Sequence, residues 1–316
     1  MTIALKTARR DGDIDVAEGV VLPPAALRAV ERWAQQKPQA LALLHKQHGR
    51  WGAYRWSDVA RTVAQLRDAL ARRGLGPGSR LAVSGALEPR LILLVLAAHG
   101  AGATVVAIDR HAQGTALQER LRAAAPTHAF VQERKTISEW IDSGHVNAAP
   151  VPLYSAQSVA HDSGSWHIAP LAELAGPASA PAVAGRQAKV RGHAALWVDE
   201  GTEWHQGLEQ VLADWLHSGT AMAAPESSAS STRDRREIQP WRLLVSVARR
   251  QQLQAELQAR LPLPGSWRRR LTERAAARPG GLLARWLLGR ISRLHGLPVR
   301  QGPGEISTVL AKEVSA

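Results

Sequence analysis

Apolar positions recur at helical spacing over residues 25–36, where Ala26, Leu27, Val30, Trp33 and Ala34 share one face, and Pro38 stops the run. Residues 40–45 read as a strand and 51–56 as its partner, across a turn at His48 and Gly49. Ser57 stands where an N-cap is needed, before Val59, Val63, Leu66 and Leu70, an amphipathic helix closed by Gly74. A Gly/Pro loop at 74–79 leads into a short buried strand at 80–84. The longest apolar run, 91–108, is divided by His99 and the pair Gly100 and Gly102. It predicts a buried helix at 91–99, a loop, and a buried strand at 104–108 rather than a membrane span. A helix around 116–124 and a strand at 128–132 follow. Strands alternating with helices predict βαβ units and a largely parallel sheet.

From residue 144 to about 190 the composition shifts to Ala, Pro, Ser and Gly, as in GPASAPAVAG at 176–185. That reads as a linker or loose surface region. A second block opens with a strand at 194–198 and a helix at 206–217. A polar stretch at 225–236 interrupts it, and a strand-like run at 243–247 and helical segments to about 297 follow. The 316 residues suffice for one large or two modest domains. The pattern divides them into an N-terminal tail (1–24), a first α/β subdomain (25–175), a linker (176–190) and a partial second α/β subdomain with an Arg-rich helical end (191–316). The expected fold class is α/β, with mainly parallel sheets flanked by helices.

Composition narrows the chemistry. With 45% apolar and 21% charged residues, wholesale disorder is excluded. The lack of cysteine removes disulfides, thiolate-bound metal and thiol catalysis, and fits a reducing compartment. Residues 1–15 hold no apolar signal-peptide core, so the expected location is cytoplasmic, or peripheral to the inner face of a membrane. The triplet Gly74, Gly76 and Gly78 ends a helix and precedes a strand, the reverse of a dinucleotide-binding loop. His45 and His48 have no third ligand beside them, and neither a G-x-S-x-G nor an H-E-x-x-H motif occurs. No metal site is expected.

Charge is uneven. Lys and Arg number 40 against 27 Asp and Glu, a net of +13, and residues 241–300 hold thirteen Arg against only Glu256 and Glu273. Over 281–297, Leu282, Leu283, Trp286, Leu287, Ile291 and Leu294 form one helical face, with Arg285, Arg290 and Arg293 mostly off it. Together with Trp267, Arg268, Arg269 and Arg270 upstream, this pattern suits an interfacial helix on an anionic membrane. The plainer reading of the same pattern is a helix packed on the core with a solvated basic face. Nucleic acid is not an expected partner, since no recognised binding module is present.

Taken in order, these segments resemble the N-terminal half of the AMP-forming acyl-CoA synthetase superfamily, closest to its long-chain fatty-acid ligases. The opening hairpin, with Trp51-Gly-Ala-Tyr54-Arg-Trp56, is similar to the family's, as is the helix after it. LGPGSRLAVSGALEPRLILLVLAAHGAGATVVAID (75–109) and REIQPWRLLVSVARRQQLQAELQARL (236–261) resemble two further family segments. The resemblance implies the fold of the N-terminal subdomains of adenylate-forming ligases.

It also implies an ATP-binding Ser/Thr/Gly-rich loop followed by Lys. After the strand at 194–198 the chain instead reads Asp199-Glu200-Gly201-Thr202-Glu203-Trp204-His205. Three carboxylates stand where polyanionic phosphate would sit, a like-charge arrangement that opposes binding. The same Asp199, Glu200, Glu203 and His205 also read as a new carboxylate/His site, or as a polar strand-to-helix loop. The family's Tyr-Gly-x-Thr-Glu motif is missing; Tyr54 and Tyr154 are the only tyrosines. The ribose-binding Asp motif and the small domain with the catalytic Lys find no counterpart. The expectation is a truncated, degenerate ligase-like protein without catalytic residues or cofactor. It would act beside a full-length acyl-CoA ligase, with a second copy of itself, or at an anionic membrane. If it is instead a ligase, working through an unorthodox loop or completed by a second chain, ATP with magnesium and CoA would be required.

Overall fold

The computed structural model describes residues 25–143, 150–175 (159 and 164 excepted) and 195–277 (261, 263 and 264 excepted), with 19, 20, 22, 286, 289, 290 and 296. Helix α1 (Ala25–Gln36) precedes the hairpin β1 (Leu41–Gln47) and β2 (Arg50–Arg55). Its two turn residues, His48 and Gly49, have φ of 48° and 73°, the positive values a two-residue hairpin turn requires. Helix α2 (Trp56–Arg72) begins two residues earlier than the Ser57 cap predicts. Arg55 is the cap residue, and its N–H donates to Asp58 Oδ2 at 3.0 Å, so Asp58 satisfies the helix start.

Alternation continues through β3 (Arg80–Ser84), α3 (Pro89–Gly100), β4 (Thr104–Ala107), α4 (Gly114–Ala124), β5 (His128–Val131) and α5 (Arg134–Ser143). The apolar run resolves as read: α3 is buried almost all round, Gly102 turns the chain at φ 84°, and β4 enters the sheet. Among the described residues no helix is long and apolar enough to cross a membrane.

Residues 151–175, expected to be loose, instead form β6 (Val151–Ser155), β7 (His161–Ser163), β8 (Trp166–Pro170) and α6 (Leu171–Ala175). Val151, Leu153, Tyr154, Trp166 and Ile168 are buried, and these apolar positions sit singly or in pairs on short strands among Ala, Pro and Ser, so no long apolar run announces them. The expected linker at 176–190 lies outside the described residues, as does the expected tail except at 19, 20 and 22. The second block supplies β9 (Ala195–Trp197), α7 (Gly207–Ser218), β10 (Ala221–Ala224), α8 (Ser231–Ile238), β11 (Arg242–Leu243), α9 (Val247–Arg260) and α10 (Trp267–Ala277). The second half of the polar stretch at 225–236 is therefore helical, and Asp234 and Arg235 on it are buried.

Two sheets result, with strand orders β4-β3-β5-β6-β8-β7 and β11-β9-β10-β1-β2. Pairing is parallel except at one edge of each, β7 and β2. The second sheet joins the chain's opening hairpin to strands more than 140 residues later, through Leu43 opposite Met222. Helices α1, α2, α3 and α7 share one core with the inner faces of both sheets. Trp56 lies at its centre, stacked 5.0 Å from Trp215, whose indole N–H donates to Ala42 O at 3.1 Å. Helices α4 and α5 cover the outer face of the first sheet, and Ile238 of α8 packs on that of the second. The fold is α/β, with mainly parallel sheets between helical layers.

Candidate functional site

In open parallel sheets, ligand crevices lie beyond the carboxyl ends of the strands. Here those ends meet between the sheets. Beyond β3 the chain enters Gly85 and Ala86; beyond β9 it enters the loop 199–206, and Ala86 pairs with Gly201 in an isolated antiparallel bridge. Thr202 N–H donates to Gly85 O at 2.9 Å, and Gly85 N–H donates to Thr202 Oγ1 at 3.2 Å. Glycine is required at 201, because a Cβ there would lie 2.4 Å from Gly85 O and 3.0 Å from Ala86 Cα.

Each carboxylate of the loop is engaged. Asp199, with 1% of its side chain exposed, accepts from Arg249 Nη2 at 2.9 Å and Ser231 Oγ at 2.5 Å, and Arg235 Nη1 lies 3.9 Å away. Burial alone would raise its pKa, but these hydrogen bonds and guanidinium charges outweigh it and hold Asp199 below the ordinary range. Glu200 accepts from Ser246 N–H and Oγ, both at 2.6 Å, just before the start of α9. Burial and the neighbouring Asp199 and Glu203 push its pKa up against those bonds. Glu203 accepts from Arg110 Nη2 at 2.8 Å, with Nε 2.7 Å from its other oxygen, and from Gly201 N–H at 2.9 Å. His205 faces solvent. The structure thus sends the carboxylates to separate partners rather than to one shared site. Among the described residues no group of three His, Asp or Glu side chains is placed to hold a metal.

A phosphate cradle needs free backbone N–H groups and an opposing cation. Gly201 N–H is held by Glu203, Thr202 N–H by Gly85 O and Trp204 N–H by Gly201 O. Arg110, which reaches the loop from beyond β4, is held by Glu203. The loop does not fit a triphosphate. The partners Arg110, Ser231, Arg235, Ser246 and Arg249 carry no motif and stand up to 93 residues from the carboxylates they hold, so local patterning does not reveal them.

The residues expected at a membrane lie elsewhere. Trp267 is 70% exposed, with Arg268 stacked 5.3 Å over its ring. Trp286 is 54% exposed, with Arg290 at 5.6 Å. Arg270 is exposed, whereas Arg269 donates to Glu273 at 2.7 Å and Gln258 at 2.9 Å. Arg285 and Arg293 lie outside the described residues.

The model of the AMP-binding enzyme family fits residues 30–188, half of the chain. The chain belongs to the AMP-binding enzyme family. The match spans most of α1 through β8 and α6 and ends before the loop 199–206.

Solved structures of similar fold include acetoacetyl-CoA synthetase from Streptomyces lividans (TM-score 0.53, 15% identity, 69% of this chain and 42% of that one). A mutant form of coronafacic acid ligase from Pectobacterium brasiliense aligns with a TM-score of 0.53 at 11% identity, over 68% of this chain and 48% of that one. A luciferase-like enzyme from the nonluminescent mealworm Zophobas morio aligns with a TM-score of 0.52 at 12% identity, over 76% and 61%. These likenesses show the fold of AMP-binding enzymes. The chain spans about two fifths to three fifths of the length of those structures. No curated protein matches the chain.

Proposed function

We propose that this chain is a non-catalytic member of the AMP-binding enzyme family that works in the cytoplasm as the partner of an active acyl-CoA ligase. The observation that carries the reading is the loop 199–206. Its N–H groups at 201, 202 and 204 are bonded within the protein, and its three carboxylates are tied to Arg110, Arg249 and the Ser246 turn. To enter, a nucleotide phosphate would have to displace Glu203 from Arg110 and from Gly201 N–H, beside the carboxyl of Glu200. The position of a phosphate loop is then occupied by a tie between two sheets, and the fold serves to present surfaces rather than to bind ATP, magnesium or CoA.

Isothermal titration of the chain with magnesium and millimolar ATP, with and without fatty acids, is expected to give no binding heat. Saturable binding overturns the reading. A second reading is ATP-dependent activation of a carboxylic acid, completed by another chain; it draws on the 42% to 61% of the similar structures that this chain spans. It predicts acid-dependent pyrophosphate release when the chain is mixed with the remaining half of a ligase.

A further inference from the structure

We propose that α10 seats this protein on an anionic lipid surface, with Trp267 and Leu271 entering the headgroup–acyl boundary and Arg270 and Arg274 meeting lipid phosphates. Trp267, Arg270, Leu271 and Arg274 are spaced i, i+3, i+4 and i+7, so they share one face of the helix. In a helix packed on a core that spacing marks the inward face. Here it points to solvent, with Trp267 70% and Leu271 37% exposed and both arginines exposed. Among the described residues of α10, the buried ones are the small Thr272 and Ala275. The helix is thus covered at small side chains, and it displays its large apolar ones.

Two further observations choose the occupant. The face is purely cationic: Glu273, the only carboxylate on α10, is tied to Arg269 at 2.7 Å, off that face. Among the described residues no carboxylate pairs with Arg270 or Arg274. Two copies meeting through this face would set like charges together, whereas an anionic phospholipid surface supplies opposite charge. The ring at the centre is tryptophan under an arginine, and the couple recurs at Trp286 and Arg290. An apolar ring with a polar edge suits the headgroup layer, where one side is wet and the other dry. An acidic protein surface would satisfy the arginines but would not need Trp267 and Leu271 together. The inference stands whether or not the loop 199–206 takes a nucleotide.

The test is flotation of the full chain with phosphatidylcholine vesicles, with and without phosphatidylglycerol. Binding is expected only with phosphatidylglycerol, and is expected to weaken as salt rises from about 0.1 M to about 0.5 M. The variants W267A/L271A and R270Q/R274Q change exposed side chains, so unaltered thermal unfolding is the control for fold. Each pair is expected to weaken vesicle partitioning about tenfold or more. Failure of the wild type to float, or wild-type flotation by W267A/L271A, overturns the proposal. So does retention on polyglutamate as strong as on vesicles and unaffected by W267A/L271A, the mark of a surface that reads charge alone. A dimer in light scattering that W267A/L271A abolishes, without vesicle binding, would assign the face to a second copy instead.

Discussion

Asp199 and Glu200 are adjacent in the chain and opposite in behaviour. Asp199 ionises more readily than usual because Arg249, Ser231 and Arg235 outweigh its burial. Replacing it by Asn leaves Arg235 and Arg249 without their shared counter-charge, and D199N is expected to lose about 3 kcal/mol in urea unfolding at pH 7. A depressed carboxylate contributes stability above its ordinary value of 3.8 and loses it as pH falls through the folded-state value. The gap between wild type and D199N is therefore expected to hold from neutral pH to about 3.8 and to close below it. Glu200 is shifted the other way, by burial and by its two acidic neighbours. A raised carboxylate contributes stability below its ordinary value of 4.5 and loses it as pH rises through the folded-state value. E200Q, which keeps an acceptor for Ser246, is expected to be no less stable than wild type at pH 7, any advantage disappearing below 4.5. Ser231, Ser246 and Arg249 lie 32 to 50 residues from the carboxylates they bind, so the number of carboxylates was legible in the sequence and their opposite titration was not.

The loop after β9 shows how an element's role depends on what meets it. Its strand and following helix are predicted from hydrophobic spacing within a residue or two, and its run of acids is plain. What spacing does not contain is the contact with Gly85 and Ala86, which turns Gly201 from a flexible loop position into the point where the two sheets touch. G201A must move Gly85 or its own loop, and is expected to cost about 2 kcal/mol in thermal or urea unfolding. The neighbouring helix α8 makes the same point. Read as a polar interruption, it buries Asp234 against Lys46 at 2.9 Å, with Glu237 at 2.7 Å from the same ammonium. Buried charges imitate a surface segment in any local window, because their partner lies on β1, 188 residues away.

Across the whole molecule, the second sheet ties the first fifth of the chain to its second half. The hairpin β1–β2 gains its parallel neighbour only from β10, and an isolated hairpin is marginal in water. Unfolding followed by tryptophan fluorescence and by far-ultraviolet circular dichroism is accordingly expected to give one coincident transition. A chain ending at residue 190 is expected to fail to fold, seen as loss of protease resistance. The sequence alone determined the alternation of strands and helices from α1 to β5, the α/β class and the family resemblance, because each rests on local spacing and on the order of segments. It also displayed the acidic loop and the Arg-rich end, which are composition. The tertiary structure decided that β6 and β8 extend the first sheet, that α8 buries Asp234 and Arg235, that the loop's acids each find a separate partner, and that Trp267 and Leu271 face outward. Each of these depends on a partner that folding brings from far along the chain, and no local pattern of residues encodes which surfaces will meet.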